Sequence, residues 1–91
     1  MKTLQVKITG RVQGVGYRAW AEAAARSRNL SGWIRNRRDG SVEALISGPD
    51  AQVDEMLAYL WQGPTASQVE RVTSEAAQSP MQLGFRTLPT A

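Results

Sequence analysis

Hydrophobic and polar residues alternate at the start of the chain, where Leu4, Val6 and Ile8 fall on one face of residues 3–9. This period of two is the pattern of a strand that buries one side. Residues 41–47 alternate in the same way. The complete set of predicted strands is 3–9, 30–37, 41–47, 68–77 and 83–87.

Two other stretches repeat their hydrophobic residues at the spacing of amphipathic helices. One covers about 18–28, after a glycine-rich connection, and the other covers 50–62. Asp50 is a good N-cap residue for the second helix, and the Gly-Pro pair at 63–64 is a typical helix end. The predicted buried stripes are Tyr17, Trp20, Ala21 and Ala24 in the first helix, and Val53, Met56, Leu57, Leu60 and Trp61 in the second.

The order of these elements is β-α-β-β-α-β with a short extra strand, which is the split βαβ pattern of ferredoxin-like folds. Asp39-Gly40 is a hairpin turn signal between the second and third strands. We expect an α+β sandwich in one domain over 1–91, with two helices on one face of an antiparallel sheet. The first two strands of a split βαβ unit point the same way. The connection at 10–17 and Asn36, at the end of the second strand, should therefore be neighbours in space.

The composition excludes several kinds of chemistry. The 91 residues contain no Cys and no His, so disulfides, thiolate nucleophiles, Cys-rich zinc sites and imidazole bases are excluded. The first ten residues are too polar for a signal peptide, and no hydrophobic run approaches the roughly 18 residues of a membrane span. We expect a soluble cytoplasmic protein that does not associate with membranes.

The chain carries a formal net charge of +3, and arginine supplies most of its basic residues. The planar guanidinium suits phosphate better than the point charge of lysine does. An excess of this size is modest, and for most of these arginines the simple interpretation is a solvated surface position.

The segment GRVQGVGYR (10–18) breaks local rules of helix formation. Its three glycines allow several backbone amides to point inward, and such a concavity binds anions. It opens into a helix that has no Ser, Thr, Asp or Asn at its expected N-cap. Arg18 places a cation in the first turn, which is unfavourable by roughly 0.3–1 kcal/mol, and Arg11 adds a second positive charge. The segment is neither a Walker A sequence nor a dinucleotide-binding GxGxxG. It is either an anion site or a glycine-rich turn with two exposed arginines.

Two motifs of the sequence, taken together, resemble those of the acylphosphatase family. GRVQGVGYR at 10–18 resembles the phosphate loop of that family, and GWIRN at 32–36, followed by DGSV, resembles its second motif. GPTASQVERV at 63–72 is also similar, so the resemblance spans nearly the whole chain. It implies hydrolysis of small acyl phosphates to a carboxylate and inorganic phosphate, with phosphate as product and inhibitor.

The resemblance also implies a set of site residues. Arg18 matches the phosphate-binding arginine of the family, and Asn36 matches its water-orienting asparagine. The backbone of 11–17 would form the phosphate cradle. The residues of that cradle are Arg11, Val12, Gln13, Gly14, Val15, Gly16 and Tyr17.

The sequence departs from the family pattern at three places. Arg37 follows the asparagine where a smaller polar residue is frequent, which could alter substrate affinity or the pH response. Tyr17 replaces the common phenylalanine, which is a mild change. The closing strand reads FRTLPTA and not the usual FxIR-type strand of the family, which predicts a less stable edge strand.

The remaining polar and aromatic residues have simple structural interpretations. Asp39, Asp50 and Asp54 fit a turn residue, a helix cap and a first-turn acid better than magnesium ligands, so we expect no metal and no cofactor. Glu22 is expected to be solvated. Trp20, Met56, Tyr59 and Trp61 are interpreted as core or partly buried packing.

Two other functions remain open. Ferredoxin-like sheets can bind RNA, but their central strands then display aromatic residues, and TLQVKIT and SVEALIS contain none. The other open function is that of a regulatory or carbamoyl-phosphate-handling domain in a larger complex. We expect a monomer that acts on a small molecule and does not bind nucleic acid.

Overall fold

The computed structural model describes residues 1–80 and 82–91, and the secondary-structure elements follow the predicted order. The last strand is shorter than the predicted 83–87. The strands are β1 (Lys2–Arg11), β2 (Ser31–Asn36), β3 (Val42–Gly48), β4 (Gln68–Ala76) and β5 (Phe85–Thr87), and the helices are α1 (Tyr17–Ser27) and α2 (Asp50–Gln62).

The five strands form one sheet in the order β4-β1-β3-β2-β5. The pairs among β1 to β4 are antiparallel, and this confirms the ferredoxin-like fold class. β5 pairs in parallel with β2, with Gly32 opposite Phe85 and Ile34 opposite Thr87, so the complete sheet is mixed. β4 runs opposite to β1 and therefore ends where β2 begins. The chain crosses to the far edge from there, and β5 then runs in the same direction as β2.

The core lies between the two helices and one face of the sheet. Tyr17 is fully buried within it, and its hydroxyl donates a 2.7 Å hydrogen bond to the backbone oxygen of Leu60, which ties α1 to α2. The fully buried apolar side chains include Val6 and Ile8 of β1, Ile34 of β2, Val42 and Ile46 of β3, and Val53, Met56 and Leu60 of α2. This core fixes the start of α1 over the sheet.

Two predictions for α2 are wrong. Trp61 is 49% exposed, because it lies about 100° around the helix from Leu60, at the margin of the buried stripe. Asp50 is the first helical residue, and the N-cap is Pro49. The Asp50 carboxylate instead pairs with the amino group of Met1 at 3.0 Å, and this partner lowers the pKa of Asp50. In the described part of the chain, neither helix has the length and apolar character needed to cross a bilayer.

The β2–β3 hairpin turns at Asp39, as predicted. The Asp39 carboxylate accepts hydrogen bonds from the backbone amide and the hydroxyl of Ser41, and these bonds lower the pKa of Asp39 to about 2. The turn holds the end of β2, and Asn36 with it, in a defined place.

Candidate active site

Residues 12–16 connect β1 to α1, and their glycines shape this connection. Gly14 and Gly16 have φ angles of 73° and 79°, in the left-handed region that favours glycine. Gly16 is the N-cap of α1 and supplies no side-chain cap, and the first turn contains no acidic residue. The first amides of α1 thus lack a side-chain acceptor, and the positive end of the helix dipole faces the groove described below.

Gln13 anchors this connection to the neighbouring hairpin. Its Nε2 donates hydrogen bonds to the backbone oxygens of Arg37, at 2.7 Å, and Ser41, at 2.9 Å. Because one side chain bridges two carbonyls of the β2–β3 hairpin, it ties the connection after β1 to the end of β2. No pattern in the sequence marks this anchoring role of Gln13.

A groove of about 390 Å³ lies between this connection, the start of α1 and the end of β2. Arg18 and Asn36 both line it, as the strand directions predict. The lining residues are Val12, Gly14, Gly16, Tyr17, Arg18, Ala19, Glu22, Asn36 and Thr87.

The other predicted cradle residues take different positions. Arg11 is exposed at the end of β1, where it pairs with Gln68 of β4. The side chain of Val15 is partly buried against the core, and neither residue lines the groove. Val12 and Tyr17 line it, but each is about 1% exposed and belongs to the core. What the connection can offer a ligand is therefore mainly its backbone.

Asn36 presents an unsatisfied acceptor to the groove. Its Oδ1 is buried and has no hydrogen-bond partner among the described protein atoms. Leaving such an acceptor unsatisfied costs about 1–3 kcal/mol, so the position suits a donor that arrives from solution. The backbone around it is fixed by two hydrogen bonds. The Ala91 amide donates to the backbone oxygen of Asn36 at 3.0 Å, and the Leu88 amide donates to the backbone oxygen of Ile34 at 2.8 Å.

Arg18 lies beside the amides at the start of α1 and is partly buried. Its guanidinium forms no ion pair with any residue in 1–80 or 82–91. A guanidinium without a carboxylate partner, next to a helix N-terminus, gives this end of the groove a net positive potential. An anion that offers two oxygens matches this arrangement.

Glu22 also lines the groove, and it is only partly solvated. Its side chain is 23% exposed, and its Oε1 pairs with Arg26 at 2.9 Å. Its Oε2 accepts a 2.9 Å hydrogen bond from the Thr87 hydroxyl of β5. The four-residue spacing of Arg18, Glu22 and Arg26 already placed them on one face of α1. That this face meets β5 depends on the pairing of β5 with β2, which the sequence did not indicate.

Arg37 lies away from the groove, although it follows Asn36. Its guanidinium pairs with Glu43 at 3.1 Å, and Arg35 pairs with the same carboxylate at 2.8 Å. Both arginines belong to the face of the sheet opposite the helices. Burial alone would raise the pKa of Glu43, but hydrogen bonds from Arg35, Gln5 and Arg37 outweigh it, and the pKa is lowered.

Comparisons with known proteins agree on one family. The family model described as Acylphosphatase matches residues 4–87. An acylphosphatase of Azorhizobium caulinodans is 52% identical over 97% of this chain and 96% of its own length. One of Rhodopseudomonas palustris is 57% identical over 81% of this chain and 75% of its own length. The crystal structure of acylphosphatase from Bacillus subtilis matches with a TM-score of 0.91 and 31% identity, over 97% of this chain and 99% of that one. The chain therefore belongs to the acylphosphatase family of hydrolases.

Proposed function

We propose that the chain hydrolyses the carboxyl–phosphate bond of small acyl phosphates and releases a carboxylate and inorganic phosphate. The observation that carries this proposal is the groove that holds both Arg18 and Asn36 beside the uncapped start of α1. Its positive end fits a phosphoryl group, and its buried acceptor fits a water molecule.

The phosphoryl group binds at the start of α1. The guanidinium of Arg18 holds two of its oxygens in bidentate fashion, and the backbone amides of 11–17 hold the others. In phosphoryl transfer the charge of the transition state spreads over these oxygens, so fixed donors around them lower the barrier. Gln13 keeps the amides in place through its bonds to the hairpin.

Asn36 orients the attacking water. Its unpartnered Oδ1 accepts a hydrogen bond from that water and holds it in line with the leaving oxygen. The leaving carboxylate is weakly basic and needs little help from a general acid. The phosphate of the substrate takes the proton of the water, so the reaction uses no protein base, no metal and no cofactor.

The remaining expectations belong to the same proposal. The chain acts as a monomer in the cytoplasm, on a small molecule, without nucleic acid or membrane. In support, the central strands β1 and β3 carry Gln5, Lys7 and Glu43 on the face opposite the helices, a polar set of mixed charge without a stacking platform for bases. Elution as a monomer and no retention on nucleic acid at low salt are the expected results.

The test is hydrolysis of benzoyl phosphate in the presence of a chelator. We expect activity from the wild-type chain and a loss of about a thousandfold or more in kcat/KM for Arg18→Ala. Arg71→Ala is the matched control, because Arg71 is an exposed arginine on β4 that does not line the groove. Wild-type turnover in Arg18→Ala, or no activity in the wild type, would contradict the proposal.

A further inference from the structure

The groove continues past the phosphate end, along α1. Glu22 lies one helical turn after Arg18, about 5–6 Å further along the axis. Thr87 sits across from it on β5, opposite Ile34 and on the same face of the sheet as Asn36. Glu22 and Thr87 are thus the lining residues at the end of the groove that is distant from the glycine connection.

We propose that Glu22, held by Thr87, forms the wall that meets the acyl group, and that it selects against acyl phosphates whose acyl group carries a second negative charge. This inference rests on the proposed function, because it assumes that the phosphoryl group occupies the end beside Arg18. The connection at residues 12–16 closes the end of the groove beside Arg18, so the acyl group extends along α1 toward Glu22.

The carboxylate of Glu22 is fixed in place by partners on both oxygens. Arg26 holds one oxygen and Thr87 the other. Arg26 in turn donates from its Nε to the backbone oxygen of Phe85 at 3.0 Å, which fastens α1 to β5. Glu22 therefore cannot swing away from an approaching anion without breaking this network.

Arg26 does not cancel the charge that Glu22 presents to the groove. The side chain of Arg26 is 62% exposed and does not line the groove, whereas that of Glu22 is 23% exposed and does. Solvent screens the arginine more strongly than the carboxylate. An acyl group with its own carboxylate would meet the like charge of this partly buried carboxylate, whereas an uncharged acyl group would not.

The test compares two substrates that differ at the far end of the acyl chain. Butyryl phosphate ends in a methyl group, and succinyl phosphate has a carboxylate at that position. We expect the wild type to have a kcat/KM for butyryl phosphate that is at least about three- to tenfold higher. In Glu22→Gln the kcat/KM for succinyl phosphate should rise, and the ratio between the two substrates should fall at least about threefold.

Glu55→Gln is the matched control, because it makes the same charge change at an exposed ion pair with Arg28, outside the groove. It should leave the ratio at the wild-type value. Equal rates on both substrates in the wild type, or the same ratio in Glu22→Gln, would overturn the inference. A loss of about a hundredfold in kcat on both substrates would also overturn it, since Glu22 would then act as a base. If the wild type hydrolyses neither substrate, the proposed function itself fails.

Discussion

Arg18 and Asn36 line the same groove, although one belongs to the first turn of α1 and the other ends β2. β1 and β2 run in the same direction, since both pair antiparallel with β3. Their carboxyl ends therefore lie at the same end of the sheet. The helix that follows β1 begins at this end, so the guanidinium of Arg18 and the buried oxygen of Asn36 line one groove there.

Substitution of Asn36 tests the role of its unpartnered oxygen. Asn36→Ala should lower kcat on benzoyl phosphate by about a hundred- to a thousandfold and change KM little, because the water loses its orientation while the phosphate site remains. Asn36→Asp should also be slow. The added negative charge repels the phosphoryl group, and the new carboxylate gives no benefit as a base because the phosphate of the substrate already takes the proton of the water. Steady-state kinetics check both variants. An Asn36→Asp enzyme faster than the wild type would show that the reaction needs a protein base.

Gly16→Ala tests the backbone cradle. The φ angle of 79° at this position costs about 1–2 kcal/mol for a residue with a Cβ, and the amides at the start of α1 should shift. We expect lower stability in urea unfolding and an inhibition constant for inorganic phosphate that is about tenfold higher.

Gly84→Ala is the control for this variant. Gly84 has a φ of 89°, an added Cβ would also meet open space there, and it lies before β5, outside the groove. It should lose similar stability and keep the wild-type inhibition constant. Equal inhibition constants in Gly16→Ala and the wild type would count against the cradle.

The Glu43 carboxylate makes stability depend on pH. The pKa of Glu43 in the folded chain is lowered from the usual 4.5. Its ionised carboxylate therefore adds to the free energy of unfolding above about pH 4.5, and this stabilisation is lost as the pH falls through the lowered pKa. Glu43→Gln should destabilise the chain by about 1–3 kcal/mol at pH 7 and reduce the loss between pH 7 and pH 3. Its kcat should equal that of the wild type, because Glu43 lies on the opposite face of the sheet. Urea unfolding at both pH values checks this, and an unchanged acid sensitivity would contradict it.

The sequence predicted the order of the helices and strands from local patterns. It predicted that Arg18 and Asn36 line one site from the shared direction of β1 and β2. It did not predict the position of Glu22, because the partner of Glu22, Thr87, belongs to a three-residue strand whose pairing with β2 is a long-range choice. The anchoring by Gln13 was missed for a related reason, since its acceptors are backbone oxygens that no side-chain pattern marks.

Predictions for α2 failed where local preference competes with the rest of the chain. Asp50 has the side chain of a helix cap, but the amino group of Met1 lies within reach, and their pairing cannot be read from residues 48–52. Trp61 fits a helical stripe, yet the buried face of α2 is already filled by Val53, Met56 and Leu60. Trp61 is therefore left at the margin of the packed face, and the carboxylate of Asp50 is engaged in an exposed ion pair rather than in capping.

A crystal structure grown in inorganic phosphate tests the central claim most directly. We predict a phosphate ion at the start of α1, with two of its oxygens on the guanidinium of Arg18, others on the amides of 11–17, and a water between the ion and Asn36. A groove without phosphate, with Arg18 turned to solvent and away from Asn36, would contradict the account.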